Sequence, residues 1–143
     1  MKHIERRTVK LDSEESTRTL GLEIADALEP GDVVALTGDL GSGKTALTRY
    51  IAEGLGVKET ISSPTFTIVK EYRSGRLPLY HFDVYRLGSG EELLDIGAEE
   101  MLEGDGVCVI EWADIAADVL PGDALLVCLD YGDNENERIA EII

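Results

Sequence analysis

The chain has 143 residues, with 29 acidic against 13 basic side chains, a formal net charge of −16 and 43% hydrophobic residues. That composition describes one small acidic globular domain, able to bury ~70% of the surface its unfolded chain exposes, and argues against disorder and disulfide scaffolds. The longest apolar run is Ala124–Leu129, far short of the ~20 residues of a membrane helix, and the opening MKHIERRTVKLD has no signal-peptide core. A cytoplasmic location without membrane contact is expected.

Charge is unevenly placed along the chain. Residues 1–86 hold 12 basic and 13 acidic side chains, whereas 87–143 hold Arg138 alone against 16 acids. The second half therefore lacks the clustered Lys and Arg that a nucleic-acid surface needs to neutralise phosphates. Two readings of its acid excess stand: solvation or adaptation to salt, and a docking face for a basic partner.

In chain order, Ile4 to Leu11 reads as a strand. Asp12-Ser13-Glu14-Glu15 supplies a cap and first-turn carboxylates to an amphipathic helix carrying Leu20, Ile24, Ala27 and Leu28, which stops at Pro30-Gly31. Val33 to Thr37 is apolar without alternation, the pattern of a central parallel strand covered on both faces. Lys44 to Leu55 is predicted helical, with Gly56 just past its end. Thr67–Tyr72 and Leu79–Tyr85, joined by Arg73-Ser74-Gly75-Arg76, form a predicted β-hairpin. Ser89-Gly90-Glu91-Glu92 matches a capping box ahead of one helix from Glu91 to Leu102. Val107–Ile110 and Ala124–Asp130 are further buried strands, each containing a cysteine, Cys108 and Cys128, read as buried free thiols. The turn Tyr131-Gly132-Asp133-Asn134 then leads into Arg138–Ile143, expected at a sheet edge. Strands alternating with helices make this a single α/β domain over residues 1–143, with a mostly parallel central sheet and antiparallel strands at its margins.

Between the apolar strand and the following helix, Gly38-Asp39-Leu40-Gly41-Ser42-Gly43-Lys44-Thr45 fits G-x-x-x-x-G-K-[ST] at every fixed position. Glycines let backbone N–H groups curl around a phosphate, the helix N-terminus adds partial positive charge, Lys44 neutralises β/γ oxygens, and Thr45 offers a hydroxyl to Mg²⁺. Such a loop works with a carboxylate at the end of a neighbouring strand, and Glu111, directly after Val107–Ile110, is placed for it. Trp112 beside it has two readings, a cover over the site or a core-packing ring. Asp83 is a second candidate, since alternation puts His81, Asp83 and Tyr85 on one strand face. Ser62-Ser63-Pro64-Thr65-Phe66-Thr67 is either a loop closing over the γ-phosphate or a polar turn.

The guanine-reading N-K-x-D element is missing: the only asparagines, Asn134 and Asn136, precede glutamates. A small-metabolite kinase usually brings lid cations to the transferring phosphoryl group, and the 51 residues from Leu87 to Glu137 contain none. That class stays the alternative.

The motifs G-D-L-G-S-G-K-T, S-P-T-F-T at Ser63–Thr67, H-F-D-V-Y-R-L at His81–Leu87 followed by E-E-L at Glu91–Leu93, and I-E-W at Ile110–Trp112 resemble those of the TsaE family. The likeness runs in order from about Ser13 to Tyr131. It implies a three-layer P-loop ATPase of bacterial tRNA threonylcarbamoyladenosine biosynthesis, working with the TsaB and TsaD proteins and touching tRNA only through them. Carried over by position, it gives phosphate cradling to Asp39, Leu40, Gly41, Ser42, Gly43, Lys44 and Thr45, and Mg²⁺ to Thr45 and Glu111. A nucleotide or hydrolytic role falls to Asp83, γ-phosphate sensing to Thr65, and a nucleoside contact to Ser13. ATP with Mg²⁺ is the implied ligand and ADP the product. Lys44, Asp83 and Glu111 are the expected catalytic set.

Overall fold

The structure, a computed structural model, describes residues 4–39, 41–62, 69–85, 87, 90–95, 97–134 and 137–143. Seven strands form one mixed sheet: β1 (Arg7–Leu11), β2 (Val33–Thr37), β3 (Val69–Tyr72), β4 (Leu79–Asp83), β5 (Val107–Glu111), β6 (Leu125–Tyr131) and β7 (Arg138–Ile142), in the order β1-β7-β6-β2-β5-β4-β3. The central strands β6, β2, β5 and β4 are parallel, while β3 at one margin and β7 with β1 at the other pair antiparallel. Among the described residues no helix is long and apolar enough to cross a membrane.

Every residue from Val33 to Leu36 is buried, and successive side chains serve opposite faces of the sheet. Val34 and Leu36 join a core with Leu20, Ile24, Leu47 and Ile51 from helices α1 (Glu14–Ala27) and α2 (Lys44–Gly54). Val33 and Ala35 join a second core with Leu93, Ala98 and Leu102 from α3 (Gly90–Asp95) and α4 (Ala98–Leu102). Burial on both faces explains why the strand lacks the polar alternation of a half-exposed sheet.

Helix α1 starts where its sequence predicts. The Ser13 side chain accepts from Ser16 N–H at 3.2 Å, and Ser16 Oγ accepts from Ser13 N–H at 3.1 Å, closing a capping box. The approach of α1 to α2 depends on two glycines that periodicity does not single out. A Cβ on Gly21 would stand 2.5 Å from Tyr50 Cβ, and one on Gly54 would collide with Ala25 Cβ. Because α2 grows directly out of the phosphate-type loop, this contact also fixes that loop against the sheet.

Four expectations need correction. The predicted helix Glu91–Leu102 is two short helices, because Gly97 adopts φ +86°, a left-handed conformation that ends one segment and caps the next. Strand β7 is interior rather than an edge, since β1 pairs along its free side from Arg7↔Ile142 to Leu11↔Arg138. Strand β4 ends at Asp83, so Tyr85 lies beyond the alternation that was to align it with His81. Cys108 is buried, its thiol pushed up to about 12 by desolvation, but Cys128 is only half-buried. Smaller differences trim β1 to Arg7–Leu11 and shift β6 to Leu125–Tyr131.

The β3–β4 hairpin forms as expected, with Tyr72 opposite Leu79, and its turn acquires a further function. Helix α1 has no basic residue in its last turn. Arg76 supplies the missing cation from the hairpin, donating from Nη2 to Ala25 O at 2.8 Å and from Nη1 to Leu28 O at 3.4 Å. Replacing it with Met (Arg76→Met) leaves those carbonyls without a charged donor and should lower stability by about 1–2 kcal/mol, read as a fall in the urea midpoint at unchanged m-value.

Candidate functional site

The parallel strands β2, β4 and β5 end together, and the loop from Gly38 to Gly43 leaves β2 at that edge. Gly41 and Gly43 hold φ of +80° and +104°, conformations unstrained only for glycine. Gly38 is required for a different reason: a Cβ there would lie 2.5 Å from both Leu129 O and Ser42 Oγ. The loop thus turns tightly over the strand ends and delivers Lys44 and Thr45 as the first residues of α2.

Lys44 is almost fully buried, and its ammonium donates to the carbonyl of Gly38 and, at 3.0 Å, to that of Asp39. It also lies 4.0 Å from the centroid of the Trp112 ring. Burial pulls its pKa below the usual lysine value, with the carboxylates of Glu111, Asp83, Asp39 and Asp114 opposing that shift. An ammonium held at the wall of an open pocket is suited to receive an anion.

Glu111 ends β5 and is 2% exposed. Its Oε1 accepts from Thr45 Oγ1 at 2.9 Å, and its Oε2 is bonded to His81 Nε2. Asp83 ends β4 opposite Glu111 in the parallel register, and its Oδ1 accepts from Tyr85 N–H at 3.0 Å. Lys44, Thr45, Asp83, Glu111 and Trp112 line one open pocket of ≈ 240 Å³ with the glycines of the loop. Among the described residues lining it, Lys44 is the one cation.

Trp112 takes both of its sequence readings. It packs at the edge of the second core while covering Lys44, and Tyr85 leans on it with ring centroids 4.8 Å apart. It is the one non-glycine residue with positive φ among those described, at +61°, a strain typically worth ~1–3 kcal/mol that surrounding structure must hold in place. His81 is fully buried and reaches the site through Glu111.

On the opposite flank of the loop lies a second pocket of ≈ 220 Å³, bordered by Ser13, Thr17, Gly41, Ser42 and Arg138. Ser13 therefore lies beside the loop, and its side chain is also the α1 cap. Arg138 was missed. It donates from Nε to Gly41 O at 3.3 Å and lies 4.8 Å over the Tyr131 ring. Its signal in the sequence was its isolation, the single cation of the last 57 residues. Leu40 and Thr65 lie outside the described residues.

The donor set suits a hard cation. Thr45 hydroxyl and Glu111 carboxylate are oxygen donors already adjacent, and among the described residues no group of three or more His, Cys, Asp or Glu gathers to cage a metal. Mg²⁺ fits that arrangement, because it is usually held by one or two protein oxygens together with phosphates and water.

Comparison with known proteins agrees with this geometry. The family described as threonylcarbamoyl adenosine biosynthesis protein TsaE matches residues 11–140. A tRNA threonylcarbamoyladenosine biosynthesis protein TsaE from Bacillus subtilis is 46% identical over 138 residues, 96% of this chain and 84% of that protein. One from Treponema pallidum is 48% identical over 127 residues, 89% of this chain and 93% of the other. The crystal structure of Bacillus subtilis YdiB superposes with a TM-score of 0.80 at 38% identity, covering 96% of this chain and 84% of that one. With a family model that matches residues 11–140 and relatives 46% and 48% identical over most of its length, the chain belongs to the TsaE family.

Proposed function

We propose that this chain is a cytoplasmic, magnesium-dependent ATPase of the tRNA threonylcarbamoyladenosine pathway, built as a three-layer P-loop sandwich. It binds ATP, hydrolyses it slowly to ADP when alone, and supports repeated turnover of a TsaB–TsaD complex that modifies adenosine 37. The observation that carries this reading is the Lys44–Thr45–Glu111 cluster at the carboxyl ends of parallel strands, with Asp83 beside it. Family membership supports the pathway.

In this reading the ammonium of Lys44 exchanges its bonds to Gly38 and Asp39 for β/γ-phosphate oxygens, and the loop's N–H groups cradle the same phosphates. Thr45 and Glu111 would hold Mg²⁺, which would supply positive charge to neutralise that developing on the phosphates. Asp83 orients the attacking water. Thr65 senses the γ-phosphate, and the nucleoside lies toward Ser13 and Arg138 in the second pocket. With Lys44 as the single described cation in the phosphate pocket, the described residues leave transition-state charge under-compensated. Arginine fingers supplied in trans raise comparable rates by as much as ~10³–10⁵, so turnover should depend on partners.

Calorimetry with ATP, ADP and GTP in Mg²⁺ should show ATP and ADP preferred over GTP; equal or tighter GTP binding would sink the adenine assignment. Lys44→Ala removes charge-assisted contacts of ~1.5–3 kcal/mol and should weaken nucleotide binding at least tenfold.

Glu111→Gln and Asp83→Asn should each depress ATP hydrolysis more than ADP binding, since both carboxylates act on the reacting end of the nucleotide. Parallel loss of both properties would mark a structural role.

Threonylcarbamoyladenosine formation reconstituted on tRNA with TsaB and TsaD should fall over several turnovers when this protein is omitted or replaced by its Glu111→Gln variant. An unchanged multi-turnover yield would favour the metabolite-kinase alternative. A screen of nucleosides and sugars for manyfold stimulation of ATP turnover would then identify the acceptor.

A further inference from the structure

We propose that His81 is the positioning residue for Glu111, fixing the carboxylate so that it meets Thr45 and a cation in a single orientation. The inference rests on the reading that Thr45 and Glu111 hold Mg²⁺. His81 stands on β4 opposite Val109, two residues before Asp83, and is fully buried. Its Nε2 is bonded to Glu111 Oε2, while Oε1 of the same carboxylate accepts a hydrogen bond from the Thr45 hydroxyl at 2.9 Å. Each carboxylate oxygen is thus assigned to a different element, Oε2 to β4 and Oε1 to α2.

The polar contacts of the ring single out the carboxylate. Nδ1 is buried and has no hydrogen-bond partner among the described residues. The ring's one polar contact among the described residues goes to the carboxylate, and toward an ionised carboxylate, which has acceptors only, Nε2 acts as the donor. Thr45 is the weaker constraint, because its hydroxyl rotates and is itself a proposed metal contact. Without His81, the Glu111 carboxylate could turn about its last torsion and present either oxygen. Partners of this outer kind typically set tenfold to 100-fold of metal affinity.

The test compares ADP affinity in Mg²⁺ with that in EDTA, by calorimetry, for the whole chain and three variants. In His81→Leu and His81→Asn, which cannot reach Glu111 with a donor, the Mg²⁺-dependent gain in affinity should shrink by about tenfold or more, with EDTA affinity within about twofold of the parent. In His81→Gln, whose amide nitrogen extends to the place of Nε2, the gain should survive to within about threefold. The polar Asn variant keeps the experiment decisive should Leu prevent folding. Variants that keep the full gain overturn the role of His81 while the parent's own gain upholds the functional reading. Equal losses in EDTA and Mg²⁺ also overturn it, since they mark a structural histidine. A parent protein with no Mg²⁺-dependent gain overturns the functional reading and this inference with it. Independently of any metal, ¹⁵N spectra of the two histidines, His3 and His81, should show the His81 proton on Nε2; a proton on Nδ1 alone would overturn the assignment.

Discussion

The carboxylate of Glu111 is the constraint on which the site depends. It is buried at the end of β5, and burying a charge without partners costs far more than a folded domain's net stability margin allows. Its partners come from two other elements, Thr45 at the start of α2 and His81 on β4. The requirement to satisfy one carboxylate therefore ties the helix that carries the phosphate-type loop to two neighbouring parallel strands. Removing Glu111 would leave the buried His81 ring without its partner, and removing His81 would leave the buried carboxylate held by Thr45 alone, which is where the larger cost lies. The glycine contact between α1 and α2 supports the same geometry, since it sets how closely α2 can approach α1.

Lys44 shows the complementary strategy for a cation. Its pKa is lowered by burial, and the nearby carboxylates recover part of that loss. Its hydrogen bonds go to carbonyls of its own loop, and the Trp112 ring covers it. Nothing in this arrangement repels an incoming phosphate except the carboxylates that oppose the desolvation of Lys44. A divalent cation between phosphate and Glu111 would remove that repulsion, so affinity for nucleotide and for Mg²⁺ should be coupled through the same acid. The left-handed backbone at Trp112 allows the chain to turn sharply after Glu111, placing the acid and its aromatic neighbour over the same pocket.

Local rules made the loop, the α1 cap, the central strand and the hairpin legible in the sequence, because each depends on a few adjacent residues. The phosphate-type loop and Glu111 were legible for the same reason: a fixed spacing, and a position directly after an apolar run. What the sequence hid is long-range. That β1 closes over β7, that Arg76 caps α1 from a distant turn, and that Arg138 reaches Gly41 are pairings of residues far apart in the chain. His81 illustrates the limit best. Strand alternation correctly put it on the side of Asp83, but only the register between β4 and β5 reveals that its ring is buried against Glu111.

The distribution of charge completes the argument about what approaches the site and from where. Helices α3 and α4 carry Glu91, Glu92, Glu99 and Glu100 in their first turns, with no basic residue in the last turn of either. They cover the face of the sheet opposite α1 and α2. At physiological ionic strength such charges act over ~8 Å, so they leave the phosphate pocket to its own Lys44 and loop dipoles but dominate any surface laid against that face. A polyanion as large as tRNA would meet this field over many phosphates at once and gain no counterion release in return. The acidic face therefore disfavours a nucleic acid, in keeping with the proposed place in the tRNA pathway reached through protein partners rather than through tRNA itself.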